Sequence, residues 1–179
     1  MFEGCYNLTT FTSDLPSLMD GHSMFNRCDA LTTFTSDLPS LTNGYYMFYG
    51  CDSLKSFSAD LSSLTDGTYM FNGCPLASFS SDLASLKSGY YMFYLCKLNE
   101  ASLRNIADTI NDISDLDKDN KEHWTYEVLG KTRTINTIYR GRIEIGYNES
   151  VAQNVINECG NKLIAKGWTV YFNGNEFKK

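Results

Sequence analysis

The segment from Leu31 to Ser53, LTTFTSDLPSLTNGYYMFYGCDS, constrains this chain more than any other feature, because it is written again before and after itself. Its Cys51 has counterparts at Cys5, Cys28, Cys74 and Cys96, at steps of 23, 23, 23 and 22 residues. The short step falls where Cys74-Pro75-Leu76 has one residue fewer than Cys51-Asp52-Ser53-Leu54. Self-similarity at a fixed period of this size predicts an α/β solenoid, in which each unit is one coil stacked on the next. The repeats occupy residues 1–98, about four coils with the first incomplete, and residues 99–179 are expected to form a helix–strand cap that continues the sheet.

One coil reads L-x-x-F-x-x-D-L-x-x-L-x-x-G-x-x-M-F-x-x-C. Leu8, Leu31, Leu54 and Leu76 share the first slot, and Phe11, Phe34, Phe57 and Phe79 the second. Thr or Ser on either side of each Phe gives the in–out alternation of a short strand. Such strands would lie side by side in a parallel sheet at a spacing of about 4.8 Å. Asp14, Asp37, Asp60 and Asp82 each precede Leu-x-x-Leu and read as caps of a helical turn. A calcium ladder on these carboxylates would need six or more oxygens per ion, and each coil brings one carboxylate. Gly21, Gly44, Gly67 and Gly89 are expected at a turn with positive φ. Met-Phe followed three residues later by Cys predicts a second helical turn with one buried face.

Five of the six cysteines fill one slot: Cys5, Cys28, Cys51, Cys74 and Cys96. Stacked equivalents would point in parallel rather than at one another, so they are expected as free, packed thiols. No His accompanies them and their spacing fits no zinc-finger pattern. The pairs Thr10/Thr12, Thr33/Thr35, Ser56/Ser58 and Ser78/Ser80 form two outward files of hydroxyls, the kind of array that orders water, although strands favour Thr in any case. Tyr45, Tyr46, Tyr49, Tyr69, Tyr90, Tyr91 and Tyr94 are the candidate exposed ligand-binding face, since Tyr offers large contact area at low entropic cost. The alternative is that several of them only cover coil edges.

Beyond Cys96 the pattern stops. Asn99 is expected to cap a helix to about Ser114, with Leu103, Ile106, Ala107, Ile110 and Ile113 on one face. Asp115, Asp117 and Asp119 resemble the start of a calcium-binding loop, but Asn120 stands where Gly is needed and Tyr126 where the bidentate Glu belongs. Arg142-Ile143-Glu144-Ile145 alternates as a strand. Asn148 is expected to cap a second helix carrying Val151, Val155, Ile156, Cys159 and Leu163 and closed by Gly167. Trp168 to Phe172 would be a final strand ending in the Asn173-Gly174 turn, with strand–helix–strand implying a right-handed parallel crossover.

The run from Met47 to Leu54, Met-Phe-x-Gly-Cys-x-x-Leu, together with the recurring Leu-x-x-Phe, resembles the BspA-type leucine-rich repeat, whose units carry an Ala-Phe-x-Gly-Cys signature at the same place. The resemblance covers residues 1–98, with Met in place of Ala and Phe11 and its equivalents in place of an aliphatic residue. It implies a leucine-rich-repeat solenoid and recognition rather than catalysis. Members are typically surface or secreted proteins of gut and oral microbes that adhere to host or microbial proteins, and similar Met-Phe-x-x-Cys arrays occur in phage proteins.

The net charge of −6 and pI near 4.8 argue against binding a nucleic-acid backbone. Lys131, Arg133, Arg140 and Arg142 form a small basic cluster, expected on a solvated loop. No apolar run reaches membrane-spanning length, and Met1 to Cys5 already lies inside a repeat, so no signal peptide is read there. The chain opens halfway through a coil, which leads us to expect either a longer array or self-association through that open coil. The two histidines, His22 and His123, sit in no nucleophile motif, and no phosphate loop, HExxH or GxSxG is present. The sequence therefore points to a non-enzymatic module that binds a protein or glycan without a cofactor. The alternative is a structural virion or assembly component that oligomerises through its coils.

Overall fold

Residues one repeat apart hydrogen-bond to each other along the whole repeat region in a computed structural model that describes residues 1–114, 124–128, 131–135 and 141–178. Strands β1 (Thr10–Phe11), β2 (Thr33–Phe34), β3 (Ser56–Phe57) and β4 (Ser78–Phe79) form two parallel pairs, with Phe11 opposite Phe34 and Phe57 opposite Phe79. Phe34, Phe57 and Phe79 are buried and the hydroxyl residues beside them exposed, as alternation requires. A further parallel row joins Asp20, Asn43, Asp66 and Ser88.

The Gly-to-Cys half of each repeat is not the helical turn that the Met-Phe-x-x-Cys spacing predicts. Met24, Asn26 and Cys28 donate their N–H groups three residues back, to Gly21, Ser23 and Phe25. The residues between them, Gly21, Ser23, Phe25 and Arg27, donate instead to Asn43, Tyr45, Met47 and Tyr49 of the next repeat, at 2.8–3.0 Å. A helix would spend these amides internally; here every second one stitches the stack.

The repeat glycines correct a second expectation. Gly21, Gly44, Gly67 and Gly89 have no positive φ; that conformation falls two residues later, at Ser23, Tyr46, Tyr69 and Tyr91 (φ 52–58°), and just before each Cys, at Arg27, Gly50, Gly73 and Leu95 (φ 56–82°). Gly21, Gly44 and Gly67 are small for a different reason. A Cβ on them would lie 2.6, 2.8 and 2.6 Å from the Sδ of Met47, Met70 and Met92, the methionines of the following repeats. Each Gly is a notch for the next repeat's Met.

The aspartates correct a third. Each precedes a tight turn, not a helix. Asp60 and Asp82 accept the N–H two residues on, from Ser62 and Ala84, at 2.8 Å, the pattern of an Asx turn. Asp37 accepts the N–H of Asp60 in the next repeat at 3.3 Å.

The core is two columns of phenylalanine. Phe2, Phe25, Phe48, Phe71 and Phe93 stack at centroid spacings of 5.3, 5.4, 5.5 and 5.7 Å. Phe11, Phe34, Phe57 and Phe79 stack beside them at 5.7, 5.7 and 6.2 Å. The two columns meet edge to face, for example Phe34 against Phe48 at 4.9 Å and 78°, the geometry favoured by ring quadrupoles.

The last repeat hands over to different elements. Its Gly-to-Cys half forms β5 (Gly89–Leu98), which keeps the positive φ at Tyr91 and Leu95 and pairs in parallel, with two register shifts, to β8 (Arg142–Tyr147). Ile143 takes the place of the next Met, its Cγ1 3.0 Å from a Cβ built on Gly89. On the other side α1 (Glu100–Thr109) covers β4: Asn99 N–H donates to the Ala77 carbonyl at 3.0 Å, and Phe79 N–H to Ser102 Oγ at 2.8 Å. Asn99 caps α1 as expected, accepting from Ser102 N–H at 2.9 Å. The helix is shorter than the sequence suggests. It stops at Thr109, Ile110 is extended (ψ 142°), and Ile110 and Ile113 stay buried without being helical. Lys166 Nζ donates to the Asp108 and Ile110 carbonyls there, both at 2.8 Å.

Helix α2 (Gln153–Ala165) crosses from β8 to β9 (Thr169–Phe172), which pair in parallel as expected. Asn148 does not cap it: the residue before the helix is Ala152, with no side-chain cap, and Asn148 Oδ1 accepts from Ser150 N–H at 2.9 Å in a preceding turn. Gly167 (φ +87°) ends α2. Asn173 (φ 47°) and Gly174 (φ 80°) turn the chain into β10 (Asn175–Glu176), antiparallel to β9, as a primed hairpin turn demands. Between α1 and α2 in the chain, β6 (Trp124–Val128) and β7 (Lys131–Ile135) pair antiparallel.

Candidate functional site

Because the positive-φ position two residues after each repeat Gly recurs once per repeat, whatever side chain occupies it forms a file. In three successive repeats it is Tyr. Tyr46, Tyr69 and Tyr91 stack at 4.7 Å (12°) and 5.1 Å (7°). Tyr45 and Tyr90, one residue earlier, meet them edge-on at 4.5 and 4.4 Å, and Tyr49 and Tyr94, three residues later, contact Tyr46 and Tyr91 at 5.0 and 4.9 Å. All seven tyrosines named from the sequence are thus brought into one continuous patch. They are half-buried rather than exposed, because each ring shields its neighbours. Burial, then the neighbouring tyrosines, push the Tyr69 hydroxyl well above the usual phenol range, so it stays a protonated donor.

The sequence reading missed how this patch ends. His22 extends it on one side, 5.2 Å and edge-on from Tyr45. On the other, Arg142 is not on a solvated loop but in β8, with its guanidinium 4.7 Å from the Tyr90 ring and 4.0 Å from the Tyr171 ring. It pairs with Glu144, which is 2% exposed, so the simple alternation expected for this strand fails. Burial raises the Glu144 carboxyl pKa, and the Arg142 partner offsets part of that rise. Arg-x-Glu on one strand face was the only signal available. Its tyrosine partners come from β5 and β9, which only the sheet order brings together.

The cysteines lie where one column requires. The thiols of Cys28, Cys51, Cys74 and Cys96 donate to the carbonyls of Phe2, Phe25, Phe48 and Phe71 at 3.1, 3.2, 3.0 and 3.4 Å. All are free. Burial pushes the Cys28 thiol up to about 11 and raises Cys74 and Cys96 further, so these are packing groups rather than nucleophiles. Cys5, next to Cys28 in the column, is exposed. The first repeat is more exposed throughout, with Phe2, Leu8, Phe11, Leu15 and Leu18 only partly buried where their equivalents are buried. The calcium candidates Asp115, Asp117 and Asp119, and His123, lie outside the described residues. Among the described residues no cluster of three metal-ligating side chains occurs, and no helix is long and apolar enough to cross a membrane.

Parallel rows of Leu, Phe and Cys, repeated at a fixed step with tight turns between them, define a leucine-rich repeat protein. The chain belongs to the BspA type leucine-rich repeat family, whose model matches it in six copies over residues 1–99 and 43–115. Repeats of this kind are generally non-enzymatic scaffolds for protein interaction and adhesion. No curated protein and no solved structure matches the chain.

Proposed function

We propose that this chain is a non-catalytic adhesion module. In this reading residues 1–98 form a leucine-rich-repeat solenoid, residues 99–179 close it as a helix–strand cap, and the tyrosine patch is the surface that grips a protein. The observation that carries it is the stacked file of Tyr46, Tyr69 and Tyr91 with Tyr45, Tyr49, Tyr90 and Tyr94 around it. Stacked on each other, these rings spend their faces internally and offer edges and hydroxyls. A sugar docks on a ring face; a protein surface, with carbonyls and apolar side chains side by side, suits edges and hydroxyls better.

The test is capture of the intact chain on immobilised matrix proteins and mucins, against a variant with Tyr46, Tyr69 and Tyr91 changed to Ser. Ser23 already occupies this slot in the first full repeat, so the backbone tolerates the change. At least a tenfold loss of capture is expected, since aromatic anchors dominate interface energies. Unchanged capture, or capture abolished by removing the target's glycans, would reject the reading. The partly buried first repeat supports a second reading, a structural component that self-associates through that face. A concentration-dependent mass by light scattering, insensitive to the tyrosine changes, would favour it.

A further inference from the structure

At the carboxyl ends of the parallel strands β5, β8 and β9 lies an open groove of about 600 Å³, lined by Tyr94, Leu95, Cys96, Lys97, Tyr147, Asn148, Glu149 and Asn173. The volume is that of a small-molecule site. The walls are of two kinds. Tyr94, Tyr147 and Leu95 supply apolar surface; Lys97, Asn148, Glu149 and Asn173 supply hydrogen-bonding groups.

Two of these polar groups have their chemistry fixed by the fold. Asn148 Oδ1 accepts from Ser150 N–H at 2.9 Å, and Asn173 Oδ1 accepts from Tyr147 N–H at 3.0 Å. A backbone N–H can only donate, so each amide must turn its oxygen inward, which leaves its Nδ2 as a donor. With Lys97 Nζ, the groove therefore holds three donor groups against the single Glu149 carboxylate. Leu95 also lines the groove. It is 61% exposed and sits at φ 65°, in a slot filled by Gly in the two preceding repeats. Its exposed side chain is open to the apolar face of a ligand in the groove.

We infer that this groove is a saccharide subsite for a sugar ring carrying an acetamido or carboxylate group. The ring's apolar face meets the tyrosines and Leu95, and the carbonyl-type oxygen meets the Asn148, Asn173 and Lys97 donors. An acidic peptide side chain would use the same donors but bring no apolar ring face to Tyr94, Tyr147 and Leu95. The subsite shares Tyr94 with the tyrosine patch but rests on the groove's own donors, Asn148, Asn173 and Lys97, which the protein-binding reading does not use.

The intact chain is titrated by NMR and calorimetry with N-acetylglucosamine, glucuronic acid and glucose. Saturable binding of either of the first two, at least tenfold tighter than glucose, is expected, and which of them wins identifies the acceptor. The Asn148→Asp and Asn173→Asp variants keep the oxygen that holds Ser150 or Tyr147 while replacing the Nδ2 donor with a repelling carboxylate. Each is expected to weaken binding tenfold or more with an unchanged melting profile. Equal affinity for glucose, indifference to both variants, absence of saturable sugar binding, or displacement of the sugar by an Asp-rich peptide would each overturn the assignment.

Discussion

The repeats and the C-terminal elements solve the same packing problem with different materials. In the repeats a glycine receives the flexible end of a methionine, as Gly67 receives Met92; at the junction Gly89 receives the β-branched Ile143, and Gly146 receives backbone. A Cβ on Gly146 would meet the Cys96 carbonyl at 2.4 Å and the Phe93 carbonyl at 2.9 Å. Within a repeat, stability comes from equivalent residues in register. Beyond it, cohesion comes from unique contacts such as Trp168 Nε1 donating to the Asn111 carbonyl at 2.9 Å. Exposed ion pairs link the two helices, Arg104 with Glu158 and Lys162 with Asp108, and contribute little. Repetition tolerates local adjustment because each neighbour is built alike; a unique junction has no spare copy.

The largest test of that contrast is Phe48→Ala. The ring is fully buried and touches Phe25, Phe71, Phe34 and Phe57, so its loss is expected to cost about 4 kcal/mol in chemical denaturation. Next comes the paired comparison of Gly146→Ala with Gly67→Ala. The first pushes against backbone and should cost about 3 kcal/mol or more; the second displaces a methionine tip and should cost about 1–2 kcal/mol. Equal costs would show that the junction yields as readily as the repeats.

A smaller effect is expected at Asp66. Burial raises its carboxyl pKa, Thr68 hydrogen bonds only partly opposing this, and the same slot holds Asn43 one repeat earlier. A carboxyl whose folded pKa is raised gives its full stability below the unfolded value, near pH 4, and loses stability as pH rises from there through the folded pKa. Asp66→Asn should therefore melt higher than the parent at pH 7, the gap closing as pH falls toward 4. A parent that melts higher at neutral pH would show that the charge has an undetected partner. The mildest test perturbs nothing: under native conditions at pH 8, only Cys5 of the six cysteines should react quickly with a thiol reagent, the rest waiting for unfolding. Rapid labelling of Cys51 or Cys74 would mean that the repeats open far more easily than their packing implies.

Much of the repeat fold could be read directly because each column is written several times over. Leu31, Phe34 and Cys51 declare themselves through their equivalents, and the seven tyrosines were found the same way. What repetition could not disclose was backbone sign. A recurring Gly is compatible with a positive φ or with a tight contact, and only the position of the next repeat's Met decides between them. Where no repeat exists, local signals were weaker. Ile110 and Ile113 continue the helical period of α1, but tertiary burial holds them after the helix has ended, and the lysine that caps that end comes from 56–58 residues away. The candidate patch was legible as far as the tyrosines reached. Arg142 and Tyr171 joined it through strand order, which one sequence does not encode locally.

The left-handed backbone at Tyr46, Tyr69 and Tyr91 has a consequence for how such a chain would drift over many substitutions. At φ near 55° a residue with a Cβ gives up about 1–2 kcal/mol relative to glycine. Random replacement would therefore tend to bleach the file to Gly or Asn, and the stack would stand all the same. Three consecutive phenols there each carry that cost, which their ring stacking partly offsets.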